Sequence, residues 1–344
     1  MSELRWDPLK EHWVIIATER GRRPRDYHME RAVQDSEVCP FCYGFEGKTP
    51  PEIFSIRNYG EPNNPGWQVR VIPNKYPALR VEGVVKSRGY GLYDVRDGIG
   101  AHEVIIETPD HTKGMADFTP QEITNVLFAY RARLLDLRND LRLRHLVLFK
   151  NHGAQAGATL SHSHSQLIAV PLTPPVAAKE LRVCRHFYEA HERCIFCDII
   201  EFELKEGARV VIENADFVVL TPYAACFPFE LRLYPRHHAH DFAAMNDRQL
   251  TELGVTMKDM LLRIKTVLKD PAYNFILHTA PPQQSRPGRP EYWSSISYDY
   301  HWHIELVPRL TQIAGFEWGT GFFINPTSPE ETAAFLRDAD IEGK

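Results

Sequence analysis

Some stretches of the chain have the apolar pattern of strands and others that of helices, and the same order of these predicted elements occurs twice. In the first half, the apolar run Trp67–Pro73 is typical of a strand, and 123–143 follows a helical period. In the second half, strand-like runs at 208–220 and 229–234 precede a stretch, 250–267, whose apolar residues lie on one helical face. A repeated order of this kind favours an internal duplication over coincidence.

Signals for helix starts support the same order. Thr119–Glu122 predicts a capping box with proline at the first helical position, and Asn246–Gln249 predicts the start of the matching helix. Ser328–Glu331 predicts another capping box, which opens a final helix. The stretch Pro171–Pro175 breaks any regular element, and a helix over about 176–192 is expected to bridge the two halves.

Each predicted long helix is followed by a strand, a loop and a histidine-rich strand. The first half has His145–Lys150, a glycine-containing loop and then Ser161–Pro171. The second half has Tyr273–Leu277, a proline-rich loop and then Tyr300–Pro308. Neither a long linker nor a low-complexity segment separates the halves, so they are expected to share one sheet rather than form separate domains.

The composition excludes several classes of function. The chain has 344 residues, of which 43% are hydrophobic and 25% charged, as is ordinary for a soluble globular protein. Its formal net charge of −5 offers no basic field for non-specific binding of nucleic acid. The polar start of the chain is unlike a signal or transit peptide, and no apolar run reaches the roughly 18 residues of a membrane span. A cytoplasmic enzyme is the default expectation.

Cysteine and histidine stand out chemically, with 6 and 16 copies. The pairs Cys39–Cys42 and Cys194–Cys197 are more typical of metal or redox centres than of disulfides in a cytoplasmic chain. Tetrahedral zinc takes four cysteine or histidine ligands, so each pair needs two histidines. Two candidate sets occur in the same order: Cys39, Cys42, His111 and His162, and then Cys194, Cys197, His238 and His301. Metal-free core thiols and imidazoles, or a zinc ribbon that binds nucleic acid or protein, are the alternatives.

The segment from His162 to Gln166, with His164 between them, is the most distinctive pattern. Strand side chains alternate between faces, so the two imidazoles and the carboxamide point the same way. The preceding loop, Asn151–Thr159, is built of small residues, and such loops let backbone N–H groups approach an anion closely. Each feature alone is explained by an exposed strand face or a simple turn. Their combination with the first metal set favours chemistry at this strand.

A family resemblance follows from these residues. On the pattern N-x-G-x-x-x-G from Asn151 to Gly157, followed by H-x-H-x-Q from His162 to Gln166, the chain resembles the galactose-1-phosphate uridylyltransferase family of the histidine-triad superfamily. The resemblance implies an α+β fold, in which a histidine-triad-like unit is duplicated and a mainly antiparallel sheet, a half-barrel, carries packed helices. It implies a half at 1–175 with the active strand and a half at 176–344 with a second metal site. A homodimer is also expected, with residues crossing between active sites.

The resemblance implies a ping-pong reaction at His164. This imidazole attacks the α-phosphorus of a nucleoside diphosphate sugar, a covalent nucleotidyl-histidine forms, and a sugar 1-phosphate leaves. Gln166 donates to a phosphoryl oxygen. A carboxamide at this position, in place of the third histidine of the hydrolases, favours transfer over hydrolysis. The expected reaction exchanges UMP between UDP-glucose and galactose 1-phosphate. The alternative, as in the related ADP-glucose phosphorylases, uses ADP-glucose and phosphate.

The resemblance also implies metals and substrate contacts. Both ligand sets are expected to hold structural Zn²⁺, two ions per chain, with iron as the alternative in one. Lys75 replaces an acidic residue of the well-known uridylyltransferases, and Phe323 replaces the carboxylate that holds the hexose, so the nucleotide and the acceptor stay open. Because Glu305 would repel a phosphate, His303 on the duplicate strand is not expected to be a nucleophile. The implied substrate-binding residues are Arg20, Arg23, Asn74, Lys75, Tyr76, Asn151, Gly157, Thr159, Gly321 and Phe323.

Overall fold

The computed structural model describes residues 3–16, 39–284 and 290–341, and it consists of sheets with helices packed on them. The strands are β1 (Glu3–Asp7), β2 (His12–Ile16), β3 (Phe54–Arg57), β4 (Trp67–Pro73), β5 (Ser87–Tyr90), β6 (Tyr93–Arg96), β7 (Ala101–Ile106), β8 (His145–His152), β9 (His164–Val170), β10 (Val210–Glu213), β11 (Phe217–Leu220), β12 (Leu231–Pro235), β13 (Tyr273–His278), β14 (His303–Pro308) and β15 (Phe323–Asn325).

Two long helices, one in each half, dominate the helical part of the structure. Within the described ranges, no helix is both long and apolar enough to cross a membrane. The α-helices are α1 (Pro120–Leu137), α2 (Pro175–His191), α3 (Ile195–Glu206), α4 (Asp247–Leu268), α5 (Ile296–Asp299), α6 (Gly315–Thr320) and α7 (Pro329–Arg337).

One ten-stranded antiparallel sheet runs through both halves, in the order β10-β11-β12-β14-β13-β8-β9-β7-β4-β3. Outward from the central pair β13 and β8, the two arms contain equivalent strands in the same order: β14 matches β9, β12 matches β7, β11 matches β4 and β10 matches β3. The central pair runs from Tyr273 opposite His152 to Leu277 opposite Leu148. The predicted α+β fold with a duplicated unit and a shared sheet is confirmed, and within the described residues the sheet is open rather than a closed barrel.

The main core lies between this sheet and the helices α1 and α4. Leu134 of α1 and Leu253 of α4 are completely buried there. The two helices approach so closely that a Cβ atom added at Gly254 would lie 2.3 Å from the Thr124 side-chain oxygen and 2.9 Å from the Pro120 carbonyl oxygen. Glycine is therefore required at this contact, which holds the two halves together on one side of the sheet.

The predicted helix starts are confirmed, because α1, α4 and α7 all begin with the expected capping boxes. Several boundaries differ from the prediction. Helix α1 ends at Leu137 rather than at 143, since Asp140 accepts the backbone N–H of Arg142 and closes a turn. The run 208–220 forms two strands, because Asn214 accepts the backbone N–H groups of Asp216 and Phe217 and reverses the chain.

The duplicated histidine-rich strands are also shorter than predicted. β9 begins at His164 and β14 begins at His303, so His162 and His301 both precede their strands. The chain leaves the ladder at the first histidine of each pair, and that imidazole turns toward the Cys-x-x-Cys pair of its own half.

A second sheet of β1, β2 and β15 brings the N-terminal hairpin to the second half. Between β1 and β2, the Lys10 ammonium lies 2.8 Å from the Glu305 carboxylate on β14. The Asp7 carboxylate lies 3.2 Å from the Arg232 guanidinium, which also pairs with Glu305 at 3.2 Å. Glu305, the counterpart of Gln166, is thus neutralised by two cations of the same chain.

Candidate active site and metal-ligand sets

His164 is almost fully buried at the start of β9. Its Nδ1 donates a hydrogen bond to the backbone oxygen of His162, 2.8 Å away. Because a carbonyl oxygen only accepts, Nδ1 carries the proton, and Nε2 of the neutral ring keeps its lone pair. Burial lowers the pKa of His164, so the ring is neutral at pH 7. An imidazole in this state can act as a nucleophile through Nε2.

The cavity in front of His164 has a volume of about 390 Å³. Phe41, Ile72 and Val104 give it an apolar wall, and Tyr76 is 82% exposed at its rim, where a ring can stack on a planar ligand. The predicted site residues that line it are His164, Gln166, Asn74, Lys75, Tyr76 and Thr159.

The loop between β8 and β9 needs glycine at two positions. Gly153 has φ +80°, and a Cβ atom there would lie 2.9 Å from the Cβ of Ala272. Gly157 has φ +89°, which side chains rarely adopt. The carboxamide oxygen of Asn151 accepts a hydrogen bond from Asn274 at 2.7 Å. Asn151 and Gly157 shape this loop but do not line the cavity as the structure describes it.

Two further predicted substrate-binding residues, Gly321 and Phe323, are not brought to this cavity. Phe323 lies on β15, where its ring packs against Phe227 with centroids 5.5 Å apart. Gly321 ends the short helix α6 just before that strand. Arg20 and Arg23 lie outside the described residues. Among the described residues, one chain therefore gathers several predicted residues at the cavity beside β4, β7 and β9, whereas Phe323 lies on the second sheet and Gly321 just before it.

A larger cavity of about 710 Å³ lies against the second half. Its lining includes the exposed aromatic side chains Trp6, Phe202 and Tyr223, and none of the predicted site residues that the structure describes belongs to it. Volume alone would favour this cavity as a binding site. The smaller cavity is the candidate active site, because it contains a buried neutral imidazole beside a carboxamide.

The structure brings together the four residues of the first candidate metal-ligand set. The ligand atoms of Cys39, Cys42, His111 and His162 lie within 4.8 Å of one another, and the Cys42 sulfur is 3.4 Å from His111 Nδ1. The Thr108 carbonyl accepts from His162 Nε2 at 2.7 Å, which leaves Nδ1 to face the thiols. Burial raises the pKa of Cys42 to about 11 and lowers the pKa of His162 to about 4. This donor set suits a tetrahedral Zn²⁺, because the two thiols ionise when a cation binds and the two imidazoles are neutral ligands.

The second set repeats this arrangement in the other half. The ligand atoms of Cys194, Cys197, His238 and His301 also lie within 4.8 Å of one another. The Cys197 sulfur is 3.4 Å from His238 Nδ1 and 3.7 Å from His301 Nδ1. The Pro235 carbonyl accepts from His301 Nε2 at 2.9 Å, as Thr108 does in the first set. The donor types and their geometry therefore suit the same ion twice.

Sequence reasoning missed a third group, Glu180, His278 and His303, whose ligand atoms lie within 4.8 Å of one another. The His278 and His303 rings stack with centroids 4.5 Å apart, and His303 Nε2 is 3.7 Å from a Glu180 oxygen. Glu180 comes from the bridging helix α2 and His278 from the end of β13, so no motif links them. Only the pairing of β13 with β14, which sets His278 opposite His303, indicates their proximity.

A buried ion pair under the active strand was also missed. Lys150 Nζ is 2.5 Å from a Glu107 oxygen, 3.0 Å from Ser163 Oγ and 3.1 Å from the His164 carbonyl oxygen. Burial alone would raise the pKa of Glu107, but the Lys150 ammonium, together with hydrogen bonds from Ser163 and Ser165, more than offsets this, and the pKa is lowered. The carboxylate therefore stays charged, and the ion pair supports the active strand through the hydrogen bond from Lys150 to the His164 carbonyl oxygen.

We expect Lys150→Met to destabilise the protein by about 3–5 kcal/mol, because it leaves Glu107 charged and buried without a partner cation. The double variant Lys150→Met/Glu107→Gln should recover part of this loss, since no unpaired charge remains. Urea unfolding measures both, with the exposed Lys205→Met as the matched control. A single variant within about 1 kcal/mol of the control would show that the pair does not support the strand.

Comparison with known proteins assigns the family. Residues 1–174 match the family described as galactose-1-phosphate uridyl transferase, N-terminal domain, and residues 180–329 match its C-terminal domain. The chain belongs to this family. Galactose-1-phosphate uridylyltransferase from Thermotoga maritima is 27% identical over 99% of this chain and 100% of its own length. ADP-glucose phosphorylase from Arabidopsis thaliana is 35% identical over 98% of this chain and 93% of its own length.

Solved structures of the galactose-1-phosphate uridylyltransferase family agree with this assignment. The crystal structure of the Arabidopsis thaliana ADP-glucose phosphorylase with bound ADP-glucose is similar at a TM-score of 0.81, with 33% identity, over 99% of both chains. A uridylyltransferase structure is similar at a TM-score of 0.74, with 26% identity, over 98% of this chain and 97% of that one. The family is one of nucleotidyltransferases, and the predicted resemblance is confirmed.

Proposed function

We propose that this chain transfers a nucleotidyl group from a nucleoside diphosphate sugar to an acceptor phosphate through a covalent nucleotidyl-His164. The observation that carries the proposal is the state of His164. Its ring is buried and neutral, its Nδ1 is tied to the His162 carbonyl, and it lines the cavity that also contains Gln166 and Tyr76. Membership of a nucleotidyltransferase family supports the same chemistry.

In the first step, the Nε2 lone pair of His164 attacks the α-phosphorus of the donor. The bond from this phosphorus to the bridging oxygen breaks, and the sugar 1-phosphate leaves with the electron pair. In the second step, an oxygen of the acceptor phosphate attacks the same phosphorus and His164 is released. Gln166 donates to a non-bridging oxygen, where negative charge increases in each transition state. Zn²⁺ in the two Cys/His sets would be structural, because four protein ligands leave no open position for water.

Two donor and acceptor pairs fit this scheme. UDP-glucose with galactose 1-phosphate is supported by the match to the family described as galactose-1-phosphate uridyl transferase. ADP-glucose with inorganic phosphate is favoured by the 35% identity to the Arabidopsis enzyme, against 27% for the Thermotoga one. Phe323, which we align with a hexose-binding carboxylate of the uridylyltransferases, does not separate the two pairs, because both donors carry glucose; it would weaken selectivity among hexoses instead.

We further propose a cytoplasmic homodimer. Gly321 and Phe323 do not line the cavity of their own chain. In a dimer they would line the site of the partner copy. Light scattering measures the oligomeric state, and a monomer that is fully active would contradict the proposal.

The test is to incubate the enzyme separately with UDP-glucose and ADP-glucose and to examine the His164 peptide by mass spectrometry. One donor should give a nucleotidyl adduct on His164 together with one equivalent of glucose 1-phosphate. Adding galactose 1-phosphate or inorganic phosphate should then discharge the adduct and identify the acceptor. Nucleoside monophosphate released without any acceptor would indicate a hydrolase, and an adduct from neither donor would contradict the proposed function.

A further inference from the structure

The carboxamide of Gln166 is held by a histidine on the neighbouring strand. β7 pairs with β9 so that Val104 is opposite Gln166 and His102 is opposite Ile168. His102 and Gln166 are therefore diagonal neighbours on the same face of the sheet. The distance from His102 Nε2 to the Gln166 side-chain oxygen is 2.8 Å, which is a hydrogen bond.

The direction of this hydrogen bond follows from the other side of the ring. The backbone N–H of Ala78 donates to His102 Nδ1 at 3.2 Å. Since a backbone N–H cannot accept, Nδ1 carries no proton, and the proton of the neutral ring is on Nε2. Asn74 Nδ2 also lies 3.1 Å from Nε2, but an amide nitrogen cannot accept. The Nε2 proton is therefore donated to Gln166, and the atom that receives it must be the carboxamide oxygen.

This hydrogen bond decides what Gln166 presents to a substrate. With its oxygen held by His102, the amide nitrogen is the group left to face the cavity beside His164. A flipped carboxamide would instead place an oxygen, which carries partial negative charge, against an anionic phosphoryl group. The backbone of Ala78 thus sets the tautomer of His102, and that tautomer sets the orientation of Gln166.

We propose that His102 is a positioning residue for nucleotidyl transfer, which orients Gln166 so that its amide nitrogen donates to a non-bridging oxygen of the α-phosphoryl group. This inference rests on the proposed function and adds a residue to it. His102 acts through Gln166 and does not itself touch the transferred group. It increases the rate of adduct formation rather than the affinity for the donor.

Removing the hydrogen bond from His102 should slow the reaction strongly, but less than removing the nucleophile His164 does. A single well-oriented donor to a developing anion contributes about 10²–10³-fold. We expect Gln166→Ala to lose this contribution fully. His102→Phe keeps a ring but donates no hydrogen bond, and we expect it to slow adduct formation by about 10–100-fold. The loss should appear in the saturating rate of glucose 1-phosphate release in a single turnover, with little change in the donor concentration at half-saturation.

A double-variant cycle separates positioning from a general structural role. If His102 acts only through Gln166, then His102→Phe/Gln166→Ala should be no slower than Gln166→Ala alone. Losses that multiply would overturn the proposal, as would a His102→Phe enzyme that forms the adduct at the wild-type rate. His186→Phe, on the exposed face of α2, is the matched control.

A measurement on the unaltered protein tests the tautomer without any activity. Nitrogen-15 chemical shifts of the His102 ring should show a protonated Nε2 and an unprotonated Nδ1. The opposite pattern would overturn the inference even if the enzyme forms the adduct. Conversely, the expected tautomer in a protein that forms no adduct with either donor would contradict the proposed function and leave the hydrogen-bond assignment intact.

Discussion

His164→Asn should abolish the covalent adduct and reduce turnover by about 10⁴-fold or more, the scale of losing an essential nucleophile. Asparagine has no lone pair at the position of Nε2 that could attack phosphorus. The donor should still bind, since the apolar wall and the residues around Tyr76 remain. Adduct mass spectrometry and steady-state turnover with the preferred donor measure the two effects.

The variant must also remain folded for this result to be informative. His164→Asn removes one hydrogen bond to the His162 carbonyl, a loss of about 1 kcal/mol, so melting temperature and metal content should stay close to those of the wild type. His186→Asn, an exposed histidine on α2, controls for the substitution itself. An adduct on another residue, or substantial turnover by the folded His164→Asn protein, would contradict the assignment of the nucleophile.

Loss of the first metal set should have the second largest effect. Cys39→Ala removes one of four ligands from the group that includes His162, and His162 directly precedes the active strand. We expect one metal equivalent fewer per chain, a lower melting temperature and a roughly 100-fold loss of activity, the upper end of what changes around a metal site cause. Elemental analysis of purified protein and the single-turnover assay measure the metal content and the rate.

Two matched cysteine variants make this prediction specific. Cys194→Ala should also lose one metal equivalent, but it should keep more activity, because its set supports β14 rather than the strand with His164. Cys184 is completely buried but belongs to neither set. Cys184→Ala should therefore lose neither metal nor activity. Equal activity in the Cys39 and Cys194 variants, or unchanged metal content in both, would contradict the proposed roles.

The parts of the fold that were predictable are those encoded locally. The capping boxes of α1, α4 and α7 follow from short motifs, and they were confirmed. The proximity of the residues in the two candidate ligand sets could be predicted because their residue types recur in the same order in both halves. Helix and strand ends were less accurate, since they depend on side chains such as Asp140 that capture a backbone N–H.

The features that sequence reasoning missed depend on contacts between strands. Nothing near His102 in the chain indicates a role, because its importance comes from a diagonal position relative to Gln166 and from the N–H of Ala78. Likewise, nothing in the sequence links Lys150 with Glu107, and the two residues meet only when β7, β8 and β9 are paired. Register and tautomer are properties of the assembled sheet, and a single sequence without its fold does not specify them.

The pairing of β8 with β13 limits how the molecule can be divided. A chain cut within Pro171–Pro175 would leave each fragment with a mostly apolar strand whose backbone N–H and C=O groups face water along an open edge. Such edges are templates for aggregation. Each fragment is therefore expected to be insoluble when produced alone. Soluble protein should return when the two fragments are produced together, because β8 can then pair with β13.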